Sequence, residues 1–406
     1  MYENYPANDP KHTFRLVGNK VCVIYDCFFP LTLGGAERWY RALSDALVSE
    51  GAEVTYLTRL QWTGDRPKIP GINIVAVCGS HELYDSEGTR LIGPTLSFGA
   101  GTFWWLIRNR SEFDAIHLAN FPFFSLIGAR LALVGSKTPL FVDFLEVWPL
   151  SYWRSYSGFV AGSLGALIQQ LCISITKNAQ VFVVENIHRL RKSGFRGESV
   201  VLPGLFPDQQ EDRIVSLAAP NPPMILFVGR HVKEKGIREL PQILVAARKT
   251  HPSLTMKVVG DGPERRFIES EFQQLGLSEF VHFTGRTSDA ELIRIYSEAS
   301  CTIIPSLREG YGIVVTESTA AGTPVIVLNN PENLAVGLIE DGTNGFVTGL
   351  KPTEVAEAIG KVLAAEDTIR RTTIEWYSAS ANSKNMTKSA YEMMNRYIAK
   401  RKSAGR

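Results

Sequence analysis

The chain has 406 residues, of which 45% are hydrophobic and 21% are charged, and its formal net charge is +2. This length predicts two or three domains, and the near-neutral charge argues against a nucleic-acid-binding protein, which usually carries a marked excess of Lys and Arg. Five cysteines are scattered without zinc or redox spacing, so we predict free thiols in a reducing compartment and no metal site.

The first half of the chain begins without the cationic start and apolar core of a signal peptide, so we predict a cytoplasmic protein. Short β-rich runs then alternate with helical patterns, and several runs are apolar throughout, as in parallel strands covered on both faces. In the first helical pattern the apolar side chains of residues 39–47 share one face, and Gly51 suits the C-cap. The predicted strands are KVCVIYD, EVTYLT, INIVAV, FDAIHL, PLFVDF, QVFVVE and SVVLPG.

The stretch 158–175 is the most membrane-like segment of the chain. Gln169 and Gln170 interrupt it, and its uninterrupted apolar part is too short to span a bilayer. We therefore predict a buried or interfacial helix.

The second half repeats the alternation of strands and helices after a proline-rich and polar stretch, 203–224, which we interpret as a linker. Its predicted strands are PMILFVG, MKVVG, FVHFTG, CTIIPS and TPVIVL. The pattern predicts an α/β protein with two doubly wound domains, 1–205 and 206–380, and a helix in 381–406 that packs back toward the first domain. Ligands of such sheets bind at the carboxyl ends of the strands, so we expect the site in the cleft between the domains.

Four glycine-containing turns follow predicted strands and are candidates for an anion site. Free N–H groups at a helix start attract anions, and glycine lets a ligand approach the backbone. Two cations lie beside the second turn, so we interpret these turns as a site for an anionic nucleotide rather than as simple connections between elements. The sequence contains no P-loop and no clean GxGxxG motif. The residues of these turns are Gly34 and Gly35; Arg230 and Lys235; Gly260, Asp261 and Gly262; and Gly285 with Arg286.

The stretch 306–327 places Glu309 and Glu317 eight residues apart around a glycine-rich turn. Residues 313–321 have a helical pattern, so we expect Glu309 in the loop at the cleft and Glu317 in the helix. Carboxylate oxygens suit the paired hydroxyls of a sugar or a ribose, and backbone N–H groups at a helix start suit phosphate. We predict that one glutamate binds a sugar and the other a ribose, with phosphates between them at the turn formed by Gly310, Tyr311 and Gly312.

These motifs resemble those of family 4 retaining glycosyltransferases with the GT-B fold, in which two Rossmann-like domains face each other across a cleft. EGYGIVVTE matches the E-x7-E motif of that family, GRHVKEKG its phosphate-binding strand end, VVGDGPE its nucleobase-side loop, and AAGTPVI the segment after the motif. GGAER resembles its amino-terminal glycine loop. The resemblance runs from about residue 20 to about residue 347.

The resemblance implies a role for each candidate residue. Arg230 and Lys235 would hold the diphosphate of a UDP-sugar or GDP-sugar donor, Glu317 its ribose, and Glu309 the transferred hexose-type sugar. It implies no cofactor and no metal ion, since the two cations replace the metal. The expected reaction is glycosyl transfer with retention in cell-surface glycan biosynthesis.

The family pattern fails at two positions in the first domain. Many members read H-x-H-N after a strand, with the second His near the reacting sugar. Here His117 is present but Ala119 stands at the second position, and Leu145 stands where relatives often have His. His117 is therefore either a catalytic residue or a packing residue at a strand end. Two alternatives stay open, a sugar-nucleotide 2-epimerase, which the Glu309 context fits poorly, and a non-catalytic GT-B-fold binding protein.

Aromatic and basic residues are concentrated in three stretches of the first domain, SFGAGTFWWLIRNR, VWPLSYWRSYSGFV and HRLRKSGFR. Some of these aromatic residues are expected in the core, and short basic runs usually lie in solvent. Trp and Tyr nevertheless favour bilayer interfaces, and Lys and Arg are attracted to anionic surfaces. We predict a peripheral protein of the inner leaflet, whose acceptor is a lipid-linked glycan or a glycolipid in preference to a soluble acceptor.

Overall fold

The computed structural model describes residues 16–32, 34–83, 90–207 and 220–403. Part of the predicted linker, 208–219, lies outside the described residues. Two parallel sheets organise the rest of the chain, one in each half.

The first sheet has seven parallel strands. They are β1 (Lys20–Ile24), β2 (Glu53–Arg59), β3 (Ile72–Cys78), β4 (Ala115–Ala119), β5 (Leu140–Asp143), β6 (Asn178–Val181) and β7 (Glu198–Val201). Their order is β3-β2-β1-β4-β5-β6-β7. Successive strands are therefore added on one side of β1 up to β3 and on its other side from β4 onward. Lys20 of β1 pairs with Glu53 of β2, and Val21 pairs with Ala115 of β4. All seven strands predicted in this half are present.

The second sheet has six parallel strands in the same winding order. They are β8 (Met224–Val228), β9 (Thr255–Val259), β10 (Val281–Gly285), β11 (Cys301–Ile304), β12 (Val325–Leu328) and β13 (Gly345–Thr348). The order is β10-β9-β8-β11-β12-β13. β13 is not among the five strands that the sequence predicted in this half. It is a four-residue edge strand whose Phe346 and Val347 are only half-buried, so its apolar signal is weak.

Helices cover both faces of each sheet, as the apolar character of the strands predicts. They are α1 (Gly35–Ser49), α2 (Ile92–Asn109), α3 (Phe123–Ala132), α4 (Leu150–Ser157), α5 (Phe159–Ile175), α6 (Val184–Lys192), α7 (Leu240–Arg248), α8 (Arg265–Gln274), α9 (Asp289–Ser297), α10 (Ile313–Ala320), α11 (Pro352–Ala364), α12 (Glu366–Ala381) and α13 (Met386–Ser403). In β1 the alternate residues Val21 and Val23 join the core formed with α1 and α13, whereas Cys22 and Ile24 join the core formed with α2, α3 and α5. This arrangement confirms the predicted GT-B architecture.

Within the described ranges, the chain passes between the two domains twice. It leaves the first domain after β7, and it returns where α12, packed in the second domain, gives way to α13, which lies against α1. The two passages are hydrogen-bonded to each other. Phe206 N–H donates to the Lys384 carbonyl at 3.1 Å, Met386 N–H donates to the Phe206 carbonyl at 3.0 Å, and the Ser389 hydroxyl donates to the Gly204 carbonyl at 2.7 Å. The exact domain boundaries stay a prediction.

The segment with the strongest membrane-like pattern forms α5 of the first domain. In the part of the chain that the structure describes, no helix has both the length and the apolar character needed to cross a membrane. All five cysteines lie among the described residues and are unpaired, as predicted, and four of them are buried.

Candidate active site

The loop after β8 brings its lysine to the end of β11 through a close backbone contact. Gly236 has φ of +66°, in the left-handed region, and a Cβ at this position would lie 1.9 Å from the Pro305 carbonyl oxygen. Only glycine tolerates both conditions without a shift of the chain. The sequence KEKG therefore fixes Lys235 beside the loop that follows β11.

Lys235 and Glu309 form an ion pair at this point. The Lys235 Nζ atom lies 2.6 Å from Glu309 Oε1, which also accepts a hydrogen bond from the Ser306 hydroxyl at 3.0 Å. The two side chains are 25% and 12% exposed, so the pair is mostly shielded but still reachable from solvent. Backbone hydrogen bonds from Glu309 N–H to the Glu332 carbonyl and from Leu334 N–H to the Glu309 carbonyl hold the loop. Two predicted site residues, 74 positions apart, are thus in direct contact.

The predicted glycine turn of the first domain is covered by a carboxylate of its own helix. Glu37 lies in the first turn of α1, and a Cβ at Gly34 would lie 2.3 Å from Glu37 Oε2. Burial raises the pKa of Glu37, while its own backbone N–H and the positive charge of Arg230 act in the opposite direction. Arg230 itself is exposed at the end of β8. The Glu37 carboxyl group therefore occupies the space beside Gly34 at this helix start.

The two domains are in close contact at the same turn. A Cβ at Gly35 would lie 2.2 Å from the Ile313 Cδ1 atom, at the start of α10. Gly35 thus permits the close approach of the two domains. The predicted contact of Gly34 and Gly35 with a donor stays a prediction.

Glu317 lies in α10 beside groups from both domains. Its Oε2 accepts a hydrogen bond from the Tyr296 hydroxyl at 2.9 Å. Burial raises the pKa of Glu317, and the nearby Arg38 guanidinium and the Tyr296 hydroxyl lower it. Arg38 extends from α1 across to the second domain, where its Nη2 lies 2.5 Å from Asp289 Oδ1. A cation of the first domain therefore sits near the carboxylate expected to bind the ribose.

The remaining loops of the second domain line the same edge of the sheet. His231 N–H donates to the Asp261 carbonyl at 2.9 Å, so the loops after β8 and β9 are bonded to each other. In the second of these loops, Gly262 N–H donates to Asp261 Oδ1 at 2.8 Å. Gly260 N–H donates to the Gly285 carbonyl of β10 at 2.9 Å, and the exposed Arg286 follows that strand.

The turn between the two glutamates faces the first domain. A Cβ at Gly310 would lie 2.6 Å from Glu146 Cγ, in the loop after β5. The Tyr311 hydroxyl accepts a hydrogen bond from Leu205 N–H at 3.1 Å, so this side chain points to the passage between the domains. Gly312 has φ of +97° and caps the start of α10, where only the backbone remains to contact a phosphate.

His117 is buried in the first domain and has a hydrogen-bond partner on each ring nitrogen. Nδ1 lies 2.6 Å from the Tyr397 hydroxyl of α13, and Nε2 lies 2.8 Å from Asp143 Oδ2. The ring has no exposed surface. Asp143 Oδ2 also accepts from Trp39 Nε1 at 2.7 Å. This geometry favours the packing role that the sequence left open and does not bring His117 to Glu309.

Sequence reasoning did not find the cluster that surrounds Arg308, the residue before Glu309. The Arg308 guanidinium lies 4.1 Å from the centre of the Trp148 ring and 5.3 Å from that of Tyr152, and its Nε lies 3.4 Å from Glu146 Oε2. The contact is a cation–π interaction between the two domains. The aromatic signal VWPLSYW was visible in the sequence, but its partner in the second domain was not.

Sequence reasoning also missed a buried ion pair on the cleft side of the first domain. Asp26 follows β1 and binds Arg90, whose guanidinium lies 4.7 Å from the centre of the Phe121 ring. Burial raises the pKa of Asp26, and Arg90 opposes that shift. Among the residues that the structure describes, Asp26 Oδ1 finds no hydrogen-bond partner. These groups supply polar chemistry at the carboxyl end of the first sheet.

The arrangement can bind a ligand that has anionic and hydroxyl-bearing parts. Cations from the loop after β8, the helix start at Gly312 and carboxylates at 309 and 317 all lie along one edge of the second sheet. Among the residues described, no group of three or more His, Cys, Asp or Glu side chains could hold a metal ion.

Comparisons with known proteins agree with this geometry. Residues 208–377 match the family model "Glycosyl transferases group 1". The glycogen synthase of Mycobacterium tuberculosis is 23% identical over 319 residues, which cover 74% of this chain and 75% of that protein.

Solved structures resemble almost the whole chain. The sucrose-phosphate synthase of Thermosynechococcus elongatus superposes with a TM-score of 0.74 at 20% identity, over 94% of this chain and 98% of its own. The Anabaena protein Alr3699/HepE in complex with UDP-glucose superposes with a TM-score of 0.67 at 14% identity, over 94% and 99% of the two chains. Together the matches support a GT-B glycosyltransferase, in which residues 208–377 are the part shared with the group 1 glycosyltransferase family.

Proposed function

We propose that this protein transfers a hexose from a nucleotide diphosphate sugar to a glycan or lipid-linked acceptor, with retention at the anomeric carbon and without a metal ion. The observation that carries the proposal is the Lys235–Glu309 ion pair, 2.6 Å long, at the carboxyl edge of the second sheet. The group 1 match over the same part of the chain supports a glycosyltransferase site. The UDP-glucose bound by the Anabaena neighbour supports a UDP-sugar as donor.

The donor would lie along the edge of the second sheet. In this proposal Arg230 and Lys235 bind its diphosphate, Glu317 its ribose hydroxyls, and Glu309 the hydroxyls of the sugar. Lys235 has three N–H donors, so it can keep its bond to Glu309 while it donates to a phosphate oxygen. The two cations would supply the positive charge that a metal ion supplies elsewhere.

The chemical step breaks the bond between the anomeric carbon and the leaving phosphate oxygen. Negative charge then grows on the phosphate, where Arg230 and Lys235 stabilise it in a poorly hydrated cleft. The acceptor hydroxyl attacks from the same face of the sugar and forms the new C–O bond. Its proton passes to the leaving phosphate, so the step needs neither a carboxylate nucleophile nor His117.

Acceptor binding would fall to the first domain, where Glu146 and the Asp26–Arg90 pair offer polar groups on the cleft side. The proposed setting is the biosynthesis of a cell-surface glycan on the cytoplasmic side of the membrane. Ala119 and Leu145, together with the buried His117, favour one alternative, a GT-B-fold protein that binds a nucleotide sugar without transferring it.

Incubation with a panel of UDP-sugars and GDP-sugars, with and without candidate acceptors, tests the proposal. We expect acceptor-dependent nucleotide release and a glycosylated product in mass spectrometry. An NMR spectrum of that product should show the anomeric configuration of the donor. Nucleotide binding without release for every donor and acceptor would indicate the non-catalytic alternative, and an inverted product would refute the mechanism.

A further inference from the structure

We propose that the outward face of α5 docks this protein onto a lipid bilayer that carries anionic headgroups. Val160, Leu164, Leu167 and Leu171 recur at spacings of four, three and four residues, which puts them on one side of the helix. They are 79%, 55%, 65% and 48% exposed. These four side chains form the α5 stripe. A single exposed leucine is normal in a soluble protein, but a row of four on one helix face marks a binding surface.

The exposed side of α5 is mostly apolar, unlike that of a helix that faces water, and its buried side is also mostly apolar. Its buried side contains Gln169, whose Oε1 accepts from Trp148 N–H at 3.0 Å and whose Nε2 donates to the Trp148 carbonyl at 2.8 Å. The polar side chain is thus satisfied inside the domain while the leucines point outward. This distribution stabilises a helix whose outer side meets an apolar phase.

The charges of the surrounding helices favour an anionic lipid surface. The helices α2, α3, α4 and α5 contain three arginines and no Asp, Glu or Lys. The Arg154 guanidinium lies 4.2 Å from the centre of the Phe159 ring, at the start of α5, and Phe159 is 69% exposed. Arginine and aromatic side chains beside an apolar face are typical of helices that lie in a bilayer interface.

More positive charge lies at the other end of the helix. Gln170 Nε2 donates to the Ser193 carbonyl at 2.5 Å, which ties the last part of α5 to the end of α6. The exposed Arg191 and Lys192 of α6 are next to this contact. Both ends of the α5 stripe therefore have cations that can meet phosphate headgroups.

The same charges make a second copy of this chain a poorer partner for the α5 stripe than an anionic bilayer. A two-fold contact would place α5 and its neighbours against themselves. Neither copy would bring a carboxylate from these four helices to the three arginines. An anionic bilayer satisfies both the apolar stripe and the cations, so we commit to that occupant.

The position of α5 gives docking a role in the proposed reaction. The helix follows α4, which contains Tyr152, and the loop before α4 carries Trp148. Both aromatic residues pack on Arg308. Arg308 precedes Glu309, the residue proposed to bind the transferred sugar. A bilayer on the α5 stripe would lie beside the cleft and could present a lipid-borne acceptor there. This last step rests on the proposed function, whereas docking itself does not.

Co-sedimentation with vesicles tests the surface. We expect the wild-type protein to bind vesicles of phosphatidylcholine with phosphatidylglycerol more strongly than vesicles of phosphatidylcholine alone, and less strongly at high salt. The double variant Leu164→Glu, Leu167→Glu should lose at least about ten-fold in binding, because it places two charges where two leucines would be buried. The matched control Leu350→Glu, at a 52% exposed leucine of the second domain, should bind as the wild type does.

Several results would overturn the inference. Wild-type protein that binds neither vesicle type would refute docking, and a double variant that binds as well as the wild type would refute the choice of face. A dimer that the double variant dissociates in sedimentation velocity, without vesicle binding by the wild type, would assign the stripe to a second copy. Circular dichroism and thermal melting test whether each variant is folded. If the glutamate double variant does not fold, the double variant Leu164→Gln, Leu167→Gln is used in its place. UDP affinity and transfer to a soluble acceptor, measured on the same proteins, separate failure of docking from failure of the proposed function.

Discussion

The substitution Glu309→Gln separates binding of the nucleotide from transfer of the sugar. In the structure Glu309 neutralises Lys235 across 2.6 Å, with side chains 12% and 25% exposed. Partly exposed pairs of this kind contribute up to about 1 kcal/mol, and one decade of affinity corresponds to about 1.4 kcal/mol. Removal of the charge frees Lys235 for phosphate and removes a negative charge near the diphosphate. UDP affinity should therefore stay unchanged or rise by up to about five-fold.

Sugar transfer by the same variant should collapse. A neutral amide is a weaker partner for the donor hydroxyls and for the positive charge that develops at the anomeric carbon. Loss of one such electrostatic contact typically lowers turnover on the order of 100-fold to 1000-fold. Calorimetry with UDP and steady-state transfer assays measure the two effects separately.

Two other carboxylates provide controls for this experiment. Glu332→Gln removes a charge from the neighbouring loop, where the side chain pairs with Arg189 at 2.7 Å, and should change neither quantity much. Glu317→Gln should weaken UDP binding by about ten-fold, the cost of one charge-assisted hydrogen bond. If Glu309→Gln abolishes UDP binding while Glu317→Gln preserves it, the two glutamates have exchanged roles. Wild-type transfer by Glu309→Gln would remove Glu309 from the site.

Three further predictions follow from single features of the molecule. EDTA should leave transfer activity largely intact, and a strict need for an added divalent ion would show that Arg230 and Lys235 do not replace a metal. His117→Ala should lower the free energy of unfolding by about 3 kcal/mol, because it removes the buried partner of the Tyr397 hydroxyl and one of the two hydrogen bonds to Asp143 Oδ2. Turnover of the folded protein should persist, and selective loss of turnover at unchanged stability would restore a catalytic role. Burial lowers the pKa of His231 from 6.5 to about 4, so folding excludes a proton that the unfolded chain binds, and stability should fall as the pH drops from 6.5 toward 4. Denaturant unfolding should show a loss of about 2 kcal/mol between pH 7 and pH 5 that His231→Gln lacks; parallel curves for the two proteins would contradict this assignment.

Most strands were predictable because the signal is local, whereas their order in each sheet was observed only in the structure. Apolar runs bounded by Gly and Pro identify buried parallel strands, and twelve of the thirteen strands carry such a run. The strand β13 was not predicted because it is short and lies at the edge of its sheet, where Phe346 is only half-buried. QVFVVE also predicts a strand that continues to residue 185, but Val184 already begins α6, so β6 ends at Val181.

The candidate site was predictable only where one motif contains the functional groups. GRHVKEKG and EGYGIVVTE each locate residues at strand ends of one sheet, and the structure joins Lys235 to Glu309. Arg38 beside Glu317, and Trp148 against Arg308, come from the other domain. Such contacts depend on the relative orientation of the domains, which no local pattern in either segment encodes.

The buried state of His117 has the same origin. Its partner Tyr397 lies 280 residues away, in a helix that returns from the second domain. A histidine at the end of a parallel strand looks like a cleft residue until that helix is placed over it.

The double passage of the chain between the domains limits how the cleft can open. Since the stretches at Gly204–Phe206 and Lys384–Ser389 are bonded side by side, any relative movement of the domains has to bend both stretches together. Two adjacent, hydrogen-bonded chain segments form a hinge. A hinge of this kind favours rotation of the domains about one axis over sliding or twisting of one domain over the other. Closure should then always return Arg308 to the same aromatic rings and Gly35 to the same isoleucine. The helix α13, which contributes none of the proposed donor-binding residues, thereby helps to keep the two halves of the site in a fixed relative orientation.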